Sequence, residues 1–349
     1  MNTHPITAEI LESSAAGYAS AASALLLESG APSLPDGWGS VEWKSHLKQR
    51  ILEIATAVRV NEPQLFARRV NWLRRAVRAR GANESDLRTA IESIRAALDN
   101  ELPDEMKGAV EQPIALALAE FDLDVEPEAA ILRSDTPLGR LAIQYLATCL
   151  EARTTDATQL ILNQLETGVA AAEIYSGVLL PAQRETGRLW HLGDVSISEE
   201  RVVSETTRTV MNLIVHLYAP KTSNGRTVVA ASVAGNAHDI GIRALANLFQ
   251  LDGWRSVFLG ANVPATEIAY AAQAFDADLL LINATLTTQL GSTAEILEKV
   301  RQVAASTKVL VGGLAFEEVP NLWRQLGADG YAADIDSALK LGNALTGFR

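Results

Sequence analysis

Apolar positions in the first third of the chain recur every three to four residues. Phe66, Val70, Leu73 and Val77 show this spacing, and the surrounding Ala, Leu, Arg and Glu favour helix over strand. Breaks at Gly30 to Gly39, Asn61-Glu62-Pro63, Gly81-Ala82-Asn83 and Leu102-Pro103 divide the region up to about Phe121 into about four or five helices. The acidic stretch Asp122 to Pro127 reads as a linker. Beyond it, Leu138 to Leu150, Ala157 to Gly168, Ala170 to Leu189 and Ser198 to Leu217 keep the helical period and predict a second bundle of about four helices.

After the turn residues Lys221 to Arg226 the period changes. Short β-rich runs follow at Thr227 to Val233, Ser256 to Leu259, Leu279 to Ala284, Lys308 to Val311 and Gly330 to Ala332, each succeeded by a helical segment of about ten or more residues. This alternation predicts a five-stranded, doubly wound parallel sheet of the flavodoxin-like kind, with helices on both faces. The chain then divides into an N-terminal helical domain (1–122), a four-helix domain (128–220) and an α/β domain (226–349), an α/β plus all-α architecture. In such sheets ligands sit at the carboxyl ends of the strands, at the switch point beside the first strand.

Composition narrows the function classes. No apolar run approaches the roughly 20 residues of a membrane span, and Met1 to Ile10 lacks the basic and apolar regions of a secretory signal. Cys149 is the lone cysteine, so neither an intramolecular disulfide nor a thiolate cluster is available, and a cytoplasmic location is expected. A formal net charge of −12 argues against phosphate-backbone binding, so nucleic acid is not an expected partner. The arginines Arg68, Arg69, Arg74, Arg75, Arg78 and Arg80 read as a solvated helix face, with an anion clamp as the alternative.

The loop after the first strand reads Ala234-Gly235-Asn236-Ala237-His238-Asp239-Ile240-Gly241. Its glycines permit a tight turn, and His238 stands where the sheet opens to a ligand. An imidazole there is placed to bind a metal, and Asn236 is placed to accept a hydrogen bond from the ring N–H not used for coordination. A polar loop histidine is the plainer alternative. Phosphate-loop spacings are absent, and no second histidine cluster among His4, His46, His191 and His216 supports a metallohydrolase built on His238-Asp239.

At this loop the chain resembles the cobalamin-binding proteins that share a D-x-H-x-x-G motif, with Asn236 here in place of Asp. The resemblance implies that His238 is the lower axial cobalt ligand, with a weaker Co–N bond because its partner is neutral. It continues through Leu259 to Pro264, including Val263 and Pro264, through Asn283-Ala284-Thr285-Leu286, and through Val311-Gly312-Gly313-Leu314. The last two segments imply a slot for the nucleotide tail.

The stretch Gly187 to Arg201 resembles the helical cap of CarH-type photoreceptors, which carries Trp-x9-Glu-His. Trp190 and Glu200 match that spacing, and Arg201 replaces the His. The resemblance implies that Trp190 shields an upper adenosyl group, that Glu200 accepts hydrogen bonds from its ribose, and that His191 takes the upper cobalt position after illumination. Phe66 to Leu73 and Ala79 to Gly81 are similar to the helical extension of photocobilins, which implies biliverdin as a second chromophore. Core packing explains Phe66 and Trp72 equally well.

The implied function is a non-enzymatic light sensor. Adenosylcobalamin lies under the cap, and photolysis of its upper bond changes conformation or a homo-oligomeric state, dimer or tetramer. With no domain after Arg349, the signal is expected to leave through self-association or a downstream signalling partner. The alternative is a methyl-carrying corrinoid protein of a methyltransferase system, and a cobalamin storage role is a third reading.

Overall fold

The computed structural model describes residues 4–29, 43–124, 129–319 and 321–347. The chain forms two compact units, Met1–Ala129 and Ala130–Arg349. The predicted break at Gly30 to Gly39 and residues 125 to 127 of the predicted linker lie outside the described residues.

The first unit is helical: α1 (His4–Glu28), α2 (Trp43–Arg59), α3 (Gln64–Ala79), α4 (Glu84–Glu101) and α5 (Asp104–Ala119), followed by a 3-10 turn at Glu120–Asp122. Phe66 and Val70 are fully buried and Leu73 and Val77 nearly so, which makes this face of α3 part of the core. Each such side chain contributes about 1.5–3 kcal/mol of burial. Asn83 caps α4 by accepting from the Ser85 N–H.

Two expectations for this region need correction. Arg74 does not lie on a solvated face: it is 2% exposed, donates to Glu84 (2.8 Å) and to the carbonyls of Glu120 and Leu123, and stands over the Phe121 ring. Arg69 lies 3.7 Å from Glu53, and Arg78 pairs with Glu84. A sequence run of like charges cannot reveal acceptors that arrive from other helices. The second correction concerns α1, a helix long and apolar enough to cross a membrane by length and composition. In the structure its small and apolar residues at Ala8, Leu11, Ala15, Ala19, Ala22 and Leu26 form a buried stripe at helical spacing.

The second unit opens with α6 (Pro137–Leu150), α7 (Thr154–Glu166), a short α8 (Ala171–Ile174), a π-helical segment at Tyr175–Leu179, α9 (Leu180–Leu192) and α10 (Ile197–Tyr218). Their shared core includes Tyr145, Ile161, Val178, Val203 and Met211. The helix predicted over Ala170 to Leu189 is therefore interrupted. Pro181 lacks an N–H and its ring would clash with the carbonyl four residues back, so the preceding turn widens. Gly177 in that turn lets α6 close in, since a Cβ there would sit 2.8 Å from the Leu138 side chain.

The sheet follows as β1 (Thr227–Val233), α11 (Ile240–Leu251), β2 (Arg255–Val263), α12 (Ala265–Ala274), β3 (Leu279–Asn283), α13 (Leu290–Val303), β4 (Lys308–Gly312), α14 (Leu314–Glu317), α15 (Leu322–Gln325), β5 (Gly330–Tyr331) and α16 (Ile335–Leu345). All pairings are parallel, in the order β2-β1-β3-β4-β5. The predicted five-stranded doubly wound sheet is thus the observed one. Every residue of β1 is buried, as a central parallel strand covered on both faces requires. One connection departs from expectation: β4 is followed by two four-residue helices instead of a long one. Asn321, with φ 73°, turns the backbone left-handed between them. The strand order reverses beside β1, so the loops after β1 and β3 stand next to each other at the carboxyl edge.

Candidate functional site

The loop after β1 is built around Asn236, which is fully buried. Its Oδ1 accepts from the His238 backbone N–H (3.1 Å), and its Nδ2 donates to the Asn283 carbonyl (3.1 Å). These two bonds fix which end of the amide is oxygen. The same Oδ1 lies 3.2 Å from His238 Nδ1. An oxygen acceptor requires the proton on Nδ1, which leaves the Nε2 lone pair available for a metal. Nε2 has no hydrogen-bond partner among the described residues.

The backbone of His238 is held as firmly as its ring. Its carbonyl accepts from Ser232 Oγ (2.8 Å) at the end of β1 and from Asn283 Nδ2 (3.0 Å) at the end of β3. His238 is an exposed residue, yet the protein packed around its ring lowers its pKa from the ordinary histidine value. Desolvation is the leading cause, and the Glu200 and Asp239 carboxylates oppose it. The balance favours the neutral, ligating form of the ring.

Neighbouring loops brace this one. Asn262, at the end of β2 with φ 54°, accepts from Gly235 N–H (2.7 Å) through Oδ1 and donates its own N–H to the Asn236 carbonyl (3.0 Å). Val263 and Pro264 follow and lead into α12. Gln289 Oε1 accepts from the backbone N–H groups of Thr285 and Leu286 (2.9 and 3.0 Å), and its Nε2 donates to the Gly235 carbonyl (3.0 Å). Asn283 spends its amide N–H groups on His238 and Ser232, within the framework of the site.

Gly312 and Gly313 close the far side. At Gly313, φ is 99°, and a Cβ would stand 2.3 Å from the Ala284 carbonyl and 2.4 Å from Asn283 Oδ1. Only glycine allows the ends of β3 and β4 to approach this closely. A Cβ at Gly312 would meet the Ala332 carbonyl at 3.2 Å.

The helical layer supplies the remaining predicted residues. Gly193 (φ 84°) ends α9, and Ser196 starts α10 with a capping box to Glu199. Glu200 in that first turn accepts from Ser204 Oγ (2.6 Å), and its charge bears on His238. Arg201 is exposed and 3.6 Å from Glu200. Trp190 is half-buried, while His191 is only 2% exposed, so its imidazole lies inside the packing. Ala237 and Gly241 are exposed beside His238, and Ile240 packs on the helical core.

Sequence reasoning passed over Ser232, Asn262, Gln289 and Arg208. Asn262 stood inside a matched segment, and its residue type next to glycine was the available signal. Gln289 and Arg208 act across 54 and 31 residues and carried no local signal. The arrangement fits the lower face of a cobalt corrinoid: a neutral imidazole with one nitrogen held and the other available, beside strand ends packed without side chains.

Comparison with known proteins bears on the same segments. B12 binding domain models match residues 226–340 and residues 142–214. A corrinoid protein of Desulfitobacterium hafniense is 30% identical over 168 residues, covering 46% of this chain and 76% of that protein. Dimethylamine corrinoid protein 3 of Methanosarcina acetivorans is 26% identical, covering 49% and 81%. The HTH-type transcriptional repressor CarA of Myxococcus xanthus is 24% identical over 235 residues, covering 66% and 79%. Among solved structures, the Methanosarcina barkeri monomethylamine corrinoid protein superposes with a TM-score of 0.50 at 19% identity, covering 59% of this chain and 97% of that one, which places the fold. With B12-binding segments in both its helical layer and its sheet, the chain belongs to the corrinoid-protein family.

Proposed function

We propose that the protein holds a cobalamin at the carboxyl edge of the sheet with His238 as the lower axial ligand, and that it carries the cobalt's upper group as a methyl carrier serving a partner enzyme. The observation that carries the first half is the imidazole of His238, locked through Nδ1 by Asn236 with Nε2 left available. Support for the second half comes from the relatives, several of which are dimethylamine corrinoid proteins. A bound corrinoid supplies a cobalt whose upper position accepts a small alkyl group and gives it up to a nucleophile or on illumination. The chain's own residues hold the lower side rigid, keep the imidazole neutral, and bring a carboxylate, Glu200, toward His238 from the helical layer.

A second reading is light sensing with an adenosyl upper group, a changed subunit association and an outside signalling partner. It is favoured by the Trp190 and Glu200 spacing and by the similarity to CarA over 66% of this chain, against 46% and 49% for the two corrinoid proteins described above. Under this reading His191, buried in the helical layer, would supply the upper ligand. A bilin in the N-terminal unit belongs to the same reading. There Arg69, Arg74 and Arg78 are already engaged by Glu53 and Glu84, which leaves fewer cations for propionates.

Mass spectrometry of small molecules released from protein purified in the dark separates the two readings. A methyl or unalkylated corrinoid alone supports carriage. An adenosyl corrinoid, with or without biliverdin, supports sensing, and His191→Ala then alters the spectrum recorded after green illumination. Absence of any corrinoid, with no uptake on reconstitution, contradicts both.

A further inference from the structure

Asp239 follows the proposed cobalt ligand directly and occupies the N-cap position of α11, but its carboxylate makes no capping bond. Aspartate at that position normally accepts from the first backbone N–H groups of the helix. Here Oδ1 instead accepts from Arg208 of α10 (Nη2 2.8 Å, Nε 3.3 Å), and Oδ2 accepts from Arg243 of α11 (3.2 Å). The carboxylate is 9% exposed, and the two arginine side chains are 21% and 23% exposed. Arg243 is pinned further by the Phe258 ring of β2, 4.3 Å from its guanidinium carbon. One buried carboxylate therefore joins the helical layer, the first crossover helix and an edge strand, one residue away from His238.

We infer that Arg208 is a positioning residue that latches α10 to the His238 loop through Asp239, so that the helical layer and the lower cobalt ligand move as one. The inference rests on the proposed site at His238 and assigns it a coupling route. The contact spans separate elements: Arg208 lies in the middle of α10, and the Asp239 carboxylate it holds stands at the start of α11, next to His238. If α10 shifts, it either carries the loop with it or leaves Asp239 buried with a single cation. Removing one partner of a buried ion pair is costly because the other charge stays in place. The link is thus a direct polar contact between the helical layer and the residue after His238, through which a movement of α10 reaches the loop.

The test uses the full chain without cofactor and reads hydrogen exchange by mass spectrometry. Arg208→Gln should speed exchange in 234–239 and in the first half of α10 together, by about tenfold or more, whereas Arg208→Lys, which keeps the charge, should restore most of the protection. In combination with Asp239→Asn, the effects of Arg208→Gln should fall well short of additive. A loop whose exchange stays at the wild-type rate in Arg208→Gln while α10 loosens overturns the latch, and so do additive effects. Should Arg208→Gln fail to fold, a wild-type-like loop in Asp239→Asn overturns it equally, and joint loosening of loop and helix supports it. Corrinoid titration of the same variants, followed by absorbance, is expected to show about tenfold weaker binding for Arg208→Gln and for Asp239→Asn, and near-wild-type binding for Arg208→Lys. If wild-type protein takes up no corrinoid, the site assignment fails, while the exchange data still decide the latch.

Discussion

Asn236 Oδ1 accepts from the His238 backbone N–H and lies 3.2 Å from the His238 ring nitrogen Nδ1, so one buried amide sets both the backbone and the tautomer of the loop histidine. The same side chain ties this loop to β3 through the Asn283 carbonyl, and its own carbonyl ties the loop to β2 through the Asn262 N–H. A neutral amide polarises the imidazole less than a carboxylate would, but it donates and accepts at once. An aspartate here would leave the Asn283 carbonyl without its donor.

Replacing Asn236 by Ala leaves the Asn283 carbonyl and the His238 N–H without their side-chain partner. We expect a loss of about 1–3 kcal/mol of stability for the loop framework, checked by urea denaturation of the cofactor-free protein. Asn236→Asp should raise the basicity of Nε2 and yet lose stability. A spectroscopic pH titration of the corrinoid-loaded variant should then show His238 remaining bound to lower pH than in the wild type.

The glycines of the site divide sharply under substitution. Gly313→Ala forces a Cβ against the Ala284 carbonyl at positive φ and should cost about 1–3 kcal/mol. Gly241→Ala meets nothing within 4 Å and lies in α11, where alanine is the better helix former, so the cofactor-free protein should be unchanged or slightly more stable. Denaturant midpoints of the two variants check the contrast directly.

In the N-terminal unit, burial, with the Arg50 charge adding to it, pushes the His46 imidazole down from 6.5 to about 3. Because the folded pKa lies below the unfolded one, the unfolded chain binds more protons between these values. Stability is therefore intact above about pH 6.5 and is lost as pH falls toward 3, by at most ~1.4 kcal/mol per pH unit. Hydrogen-exchange protection of α2, compared between wild type and His46→Gln from pH 7 to 5, should show the decline in the wild type and a flatter profile in the variant.

Arg74→Ala removes the cation from a carboxylate and two backbone carbonyls that stay in place. The expected loss is about 3–5 kcal/mol, read as a lowered denaturation midpoint. Arg68→Ala, at an exposed position of the same helix, serves as the comparison.

Much of this architecture was legible in the chain. The runs at Thr227 to Val233 and Lys308 to Val311 stood out because parallel strands covered on both faces are almost wholly apolar. His238 was legible because loop position and neighbouring glycines are local features. The break at Tyr175–Leu179 was hidden by an otherwise regular apolar period, although Pro181 marked it. The burial of Arg74, the bracing by Gln289 and the pairing of Arg208 with Asp239 depend on partners brought together by the fold, so no spacing rule reaches them.

Electron paramagnetic resonance of the corrinoid-loaded protein reduced to cobalt(II) tests the central assignment most directly. Superhyperfine splitting from one axial nitrogen is expected in the wild type, with a changed pattern on labelling histidine with nitrogen-15 and loss of the splitting in His238→Ala. Splitting that persists in His238→Ala, or that ignores the histidine label, would contradict the placement of the metal on His238.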